Sequence, residues 1–265
     1  MPDKPVSKIG FGGARLGSLS NPLSMRGCAR LLDIAIEEIG ITFFDTANIY
    51  GQGDSERLIG RAVRRDRERF TITTKVGQRF SRKMRLLRPF KPLIRLLPRG
   101  APATRDAIKA QRMRNVGPAF HADTIEADLE ASLRRLGTDH VDLFLLHSPA
   151  AKDLADGRLF DVLARIHARG LARRVGLSAD NSSVAALALQ AEPVTALQLP
   201  VREIEALRPQ LDGRDIFLVA RGIIGARGAR DVRTAYEDAM RDPLITTSLI
   251  DTSSPDRLRM LAGLQ

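Results

Sequence analysis

The feature that most constrains this chain is its alternation. Short runs dominated by Val, Ile, Leu, Phe and Thr are each followed by a segment with helical spacing, and the cycle repeats eight times. The pattern predicts strands at Val6–Phe11, Ile41–Asp45, Arg69–Lys75, His140–Leu146, Arg174–Leu177, Thr195–Leu199, Ile216–Ala220 and Leu244–Ile250. It predicts helices at Cys28–Ile39, Asp54–Val63, Asp123–Leu136, Leu159–His167, Ser182–Gln190, Glu203–Leu207, Val232–Met240 and Pro255–Leu261. Gly40 and Gly137 stand where glycine stops a helix. Asp123 with Glu126 three residues on reads as a capping pair, and the acids of Asp54-Ser55-Glu56 suit the first turn of the helix that follows. Strict alternation favours a parallel sheet, and eight units favour its closure into an α/β (β/α)8 TIM barrel. A doubly wound sheet is the alternative, set aside because no GxGxxG follows the first strand. Residues 1–265 are read as one domain, the usual outcome for a barrel of this length.

Three of the predicted strands end on a titratable residue. Phe43-Phe44-Asp45 runs into Thr46-Ala47-Asn48-Ile49-Tyr50-Gly51; Thr71-Ile72-Thr73-Thr74 ends in Lys75; Val141-Asp142-Leu143-Phe144-Leu145-Leu146 ends in His147. In a parallel barrel all three ends share one mouth. The residue types suit carbonyl reduction. A tyrosine with an ordinary pKa near ~10 gives up its proton near neutrality only with help. A neighbouring ammonium supplies that help, a carboxylate holds the ammonium in a low-dielectric pocket, and a histidine orients the carbonyl and meets the developing oxyanion. Each residue alone has a plainer reading: Asp45 as a turn cap, Tyr50 as packing, Lys75 as an exposed strand end, His147 as a satisfied core histidine.

Taken in order, FDTAxxYG…SE, TTK and LFLLHSP resemble the aldo-keto reductase family, from about Lys8 to the C-terminus. The resemblance implies a catalytic tetrad: Tyr50 as proton donor, Lys75 as its modulator, Asp45 as the lysine's partner and His147 as the substrate-orienting group. It also implies a nicotinamide site. Val175-Gly176-Leu177-Ser178 resembles the family's strand-five motif, with Ala179 in place of the asparagine and Asp180 or Asn181 as compensating candidates. Gln198 matches the strand-six glutamine that meets the carboxamide. Arg221 and Gly222 lie where the family often carries a serine-containing pyrophosphate loop. Asp251-Thr252-Ser253-Ser254-Pro255-Asp256-Arg257-Leu258 resembles GxRSPxQL, with Ser253 replacing the base that commonly meets the 2′-phosphate and Arg257 as a substitute, since Arg suits phosphate geometry. Ser254 reads equally as a helix cap. The expected cofactor is NADPH, with NADH left open by Ser253. No metal is expected, because no cluster has metal-ligand spacing.

The formal charge of +11 is local. Between Val76 and Phe120 stand twelve Lys and Arg against the single Asp106, and the rest of the chain holds thirty bases and thirty acids. This basic insertion, 76–120, follows the third strand directly and therefore belongs at the catalytic mouth. Three readings compete: a lid assisting an anionic substrate or the cofactor phosphates, a peripheral membrane contact on anionic headgroups, and a partner-binding or partly disordered arm. Nucleic acid is not expected, since few aromatics accompany the bases. No apolar run reaches the ~18 residues of a membrane span, and the N-terminal residues lack the apolar core of a signal peptide. Cys28 is the only cysteine and is read as a core residue. An intrachain disulfide is thereby excluded, a reducing compartment fits, and a cytoplasmic location is expected. The chain is thus read as an NAD(P)H-dependent oxidoreductase acting on a small-molecule aldehyde or ketone. The alternative is a non-catalytic nicotinamide-binding barrel that serves as a sensor or regulatory subunit and docks through the insertion.

Overall fold

The computed structural model describes residues 4, 6–81, 115–226, 231–261 and 263–264. Eight parallel strands close on themselves: β1 (Ile9–Gly12), β2 (Phe43–Asp45), β3 (Thr71–Val76), β6 (Val141–His147), β7 (Ala172–Ser178), β8 (Val194–Pro200), β9 (Phe217–Arg221) and β10 (Thr247–Ile250). Around the barrel the order is β1-β10-β9-β8-β7-β6-β3-β2, so β8 stands directly opposite β2. A separate antiparallel pair, β4 (Gln78–Phe80) and β5 (Val116–Pro118), leaves the barrel directly after β3. This hairpin stem is the described part of the basic insertion. Residues 82–114, on which its lid, membrane and partner readings rest, lie outside the described residues.

The strands divide the core by their period of two. Outward residues such as Phe11, Phe44, Ile72, Phe144, Leu146, Leu177, Leu197, Leu218 and Ile250 merge with the helices into one large apolar cluster. Inward residues Phe43, Leu143, Leu145, Ala196, Val219 and Leu249 form a second, smaller cluster. Two residues further along the same inward faces stand Asp45, His147, Gln198, Arg221 and Asp251. The barrel is therefore apolar through its middle and polar at its C-terminal mouth.

Several helices differ from the sequence reading. The first, α1 (Met25–Asp33), starts earlier, because the Ser24 hydroxyl accepts from the Gly27 amide. Its continuation Ile34–Glu38 is a π turn, in which the Ile39 amide reaches back to the Ile34 carbonyl. Asp123 is not the cap of the helix Ala122–Leu136. His121 holds that position without a side-chain bond, and Asp123 lies inside the first turn. The segment read as Glu203–Leu207 is an eleven-residue helix, Val201–Leu211. Cys28 is fully buried in the core.

Candidate active site

Asp45 and Lys75 meet at the mouth because β2 and β3 are neighbours that end together. The Lys75 Nζ lies 2.5 and 2.6 Å from the two Asp45 carboxylate oxygens and 2.9 Å from the Thr46 carbonyl. An ammonium has three hydrogens, and here it has three acceptors. Both side chains are almost wholly buried. Burial pushes the Lys75 ammonium below its ordinary pKa; the Asp45 carboxylate pulls the other way, Arg221 adds to the lowering and Asp251 opposes it. Charges from β2, β9 and β10 thus converge on one amine.

Tyr50 follows β2 by a short loop that is tied to β3: the Thr46 amide donates to the Thr73 carbonyl and the Asn48 amide to the Lys75 carbonyl. Gly51, after the tyrosine, has φ of +56°, and a Cβ there would meet the Leu16 carbonyl at 2.4 Å. Only glycine fits that corner. The loop delivers the Tyr50 ring so that Lys75 Nζ is 5.1 Å from its centroid. The His147 ring stands edge-on to Tyr50, 5.7 Å between centroids and 88° between planes. The structure therefore brings the four tetrad candidates together. Tyr50 itself is buried with Ala47 and Ile49, and Phe80 and Val116 of the β4–β5 stem pack against that group. A cavity of about 290 Å³ opens beside the stem, lined by Asn48, Gln52, Gln78, Arg79 and Phe80 among others.

Behind the mouth, α2 (Asp54–Val63) is anchored by the residues of the Asp-Ser-Glu motif. Ser55 Oγ donates to the Gly13 carbonyl at 2.9 Å and accepts from Thr46 Oγ1 at 2.8 Å. Glu56 is completely buried, accepts from Thr74 Oγ1 at 2.8 Å and forms an ion pair with Arg135. Glu56 is thus more than the first-turn acid that the sequence suggests. It clamps α2 to β3 and to the helix Ala122–Leu136.

The cofactor candidates divide into two groups. Ser178 and Gln198 are buried neighbours on β7 and β8. Ser178 Oγ donates to Gln198 Oε1 at 2.8 Å, and Gln198 Nε2 donates to Asp45 Oδ1 at 2.9 Å. Of the compensating candidates, Asn181 caps the helix Ser182–Ala188 through the Val184 amide, and Asp180 pairs with Arg221 at 2.6 Å. Arg221 also donates to the Ala179 carbonyl. Gly222 has φ of +71° and open space on its Cβ side, leaving its backbone accessible. Ser254 caps the helix Pro255–Arg259 by accepting from the Arg257 amide, while the Arg257 side chain is exposed. Ser253 accepts from Arg15 Nη1 at 3.2 Å. Sequence reasoning missed Arg15 and Asp251. Arg15 stands in the Gly-Gly turn after β1, far from the phosphate-loop resemblance, and Asp251 takes the place of that motif's glycine. A reduced nicotinamide dinucleotide fits this donor set at both ends: an amide and a hydroxyl buried at the mouth, and two arginines with two serines at the rim. Among the described residues no group of His, Cys, Asp and Glu is arranged to hold a metal, and no helix is long and apolar enough to cross a membrane.

A model of the "Aldo/keto reductase family" matches residues 8–207. The chain is 33% identical over 175 residues to a D-threo-aldose 1-dehydrogenase of Pseudomonas sp, a match covering 65% of this chain and 50% of that protein. It is 26% identical over 224 residues to the uncharacterized oxidoreductase YqkF of Bacillus subtilis, covering 83% and 61% respectively. The chain thus spans between half and about three fifths of the length of these relatives. Among solved structures, the holo form of aldo-keto reductase AKR11C1 from Bacillus halodurans superposes with a TM-score of 0.74 at 23% identity, covering 97% of this chain and 85% of that one.

Proposed function

The chain belongs to the aldo/keto reductase family, and on that premise we propose that it is an NAD(P)H-dependent oxidoreductase interconverting a small-molecule aldehyde or ketone and its alcohol. One observation carries the reading: a buried lysine held by both oxygens of a buried aspartate, with a tyrosine ring 5.1 Å from its ammonium and a histidine against that ring. A bound reduced nicotinamide supplies the hydride. Tyr50 holds the proton that goes to the carbonyl oxygen. The Lys75 charge makes its departure less costly, and Asp45 keeps that ammonium in a pocket where an unpaired one would be expelled or neutralised. His147 orients the carbonyl against Tyr50. Ser178 and Gln198 hold the carboxamide end. Gly222 and Arg221 would hold the diphosphate, the first with its backbone amide and the second with its guanidinium charge. At the far end Arg15, Ser253, Ser254 and Arg257 form the rim that decides between NADPH and NADH.

The test is titration of the purified protein with NADPH and with NADH, read by the fluorescence of the reduced nicotinamide, since the chain has no tryptophan. Saturable binding with NADPH the tighter ligand is expected, followed by consumption of the cofactor on a panel of aldehydes and ketones. Folded protein that binds neither cofactor overturns the proposal. In that case the sensor reading falls with it, because both need the nicotinamide site.

A further inference from the structure

Gln198 has a second task that its place in the cofactor site does not explain. Its amide is almost wholly buried, and it reaches across the full width of the barrel from β8 to Asp45 on β2. The orientation of that amide follows from its partners. An ionised carboxylate only accepts, so Nε2 must face Asp45; Oε1 then faces Ser178, whose hydroxyl must donate. The result is a directed chain, Ser178 to Gln198 to Asp45, closed on the far side by Lys75. Asp45 Oδ1 is shared: it receives Gln198 at 2.9 Å and Lys75 at 2.5 Å.

We propose that Gln198 is a positioning residue for the proton-transfer group: it divides the Asp45 carboxylate between its own amide and Lys75, and through that pair sets how readily Tyr50 ionises. The inference rests on the reading of Tyr50 as the acid. The amide presents the positive end of its dipole to the Asp45–Lys75 pair in a water-poor site, where a dipole acts more strongly than in solution. Among the described residues, charges that act on Lys75 from other strands are Arg221 of β9 and Asp251 directly after β10, with His147 of β6 against the Tyr50 ring. Each of these approaches from its own strand and none replaces the Gln198 amide on Oδ1.

The experiment needs neither cofactor nor turnover. The chain has two tyrosines and no tryptophan. Burial holds the Tyr236 hydroxyl above the ordinary tyrosine range, and its oxygen donates to the Leu249 carbonyl. The Tyr50→Phe protein has Tyr236 as its single tyrosine, so the phenolate absorbance it lacks when the apoprotein is titrated with base is that of Tyr50, and that difference gives the Tyr50 midpoint. Gln198→Leu removes the positive end of the dipole and is expected to raise that midpoint by about half a unit; Gln198→Glu puts a second carboxylate there and is expected to raise it by about one unit or more. Ser178→Ala, which only loosens the amide, should shift it the same way by less. Ser178→Ala combined with Gln198→Leu should go no further than Gln198→Leu alone, since the serine acts through the glutamine. The alkaline limb of kcat for carbonyl reduction should move in the same order. A midpoint unchanged in Gln198→Leu, or Ser178 and Gln198 effects that simply add, overturns the proposal. If the unsubstituted protein binds NADPH and reduces nothing, the enzymatic reading fails, while the apoprotein titration still decides the role of Gln198.

Discussion

Lys75 directs its three ammonium hydrogens at Asp45 and Thr46, so what it gives Tyr50 in this arrangement is charge. That division of labour makes the two side chains separable by mutation. Tyr50→Phe removes one oxygen and leaves the Asp45–Lys75 pair in place. Carbonyl reduction is expected to fall by about 10²–10⁴, the usual weight of a positioned general acid, with NADPH affinity within about threefold of the unsubstituted protein. Retained turnover would remove Tyr50 from the mechanism. Lys75→Met does something different, because it strands a buried carboxylate. Breaking a buried pair from one side costs about 3–5 kcal/mol, so loss of turnover should come with a lowered urea midpoint. An unchanged midpoint would show that Asp45 finds other support. Asp45, Lys75 and His147 were legible as candidates because each stands at the end of an apolar strand and the barrel gathers strand ends, and Tyr50 because it follows Asp45 in the FDTAxxYG stretch. The bond from Gln198 to Asp45 was not, because contact between β8 and β2 exists only once eight strands have closed and set them opposite each other. Asn181 illustrates a local signal passed over. An asparagine directly before a helix is a strong cap, and the structure uses its Oδ1 so.

At the scale of elements, the sequence carried the existence and order of the eight strand–helix units and blurred their edges. The π turn at Ile34–Glu38 leaves an apolar pattern that looks helical throughout. The β4–β5 stem left no periodic trace at all, since two three-residue strands pair across a long segment. Packing between elements is equally silent in the sequence, and Gly60 shows the consequence. It sits within α2, where replacing glycine by alanine ordinarily gains about 1 kcal/mol of helix propensity. Here an added Cβ would lie 2.0 Å from the Leu136 carbonyl oxygen and 2.6 Å from its carbon, both backbone atoms at the end of the facing helix. Overpacking of this kind costs about 1–3 kcal/mol and the backbone cannot step aside as a side chain would. The clash decides the sign: Gly60→Ala should lower the melting temperature, while Gly117→Ala, where nothing lies within 4 Å of the added atom, should leave it unchanged. A Gly60→Ala protein as stable as its parent would mean that α2 can ride outward without cost, against the buried Glu56–Arg135 clamp that holds it.

For the whole molecule, the two ends of the barrel divide chemistry from cohesion. The C-terminal mouth gathers the polar groups discussed above. At the N-terminal end a different carboxylate, Asp142 at the start of β6, ties distant parts of the chain together: Lys4 Nζ at 3.2 Å, Arg67 Nη2 at 2.8 Å, the Ile72 amide at 2.9 Å and Arg173 Nε at 3.5 Å. These partners come from the N-terminal segment, the turn before β3, β3 itself and β7. Burial alone would raise the Asp142 pKa, but the Arg67 charge, the Ile72 hydrogen bond and Lys4 together outweigh it and hold the carboxyl below its ordinary value. The sign of the pH dependence follows. A carboxyl whose folded pKa is depressed contributes stability that is present above its unfolded value, 3.8, and is lost as pH falls through the lower folded value. Asp142→Asn keeps the shape and an acceptor for Ile72 while removing the charge that Lys4, Arg67 and Arg173 face. At neutral pH it should lower unfolding stability by about 3 kcal/mol, seen as a shift of the urea midpoint. Repeated at successively lower pH, the gap between the two proteins should narrow as the pH passes below 3.8 and the native carboxyl takes up its proton. A gap that stays constant into acid would assign the loss to packing instead of charge, and would leave the N-terminal end of the barrel held by its apolar layer of Phe43, Leu143 and Phe217.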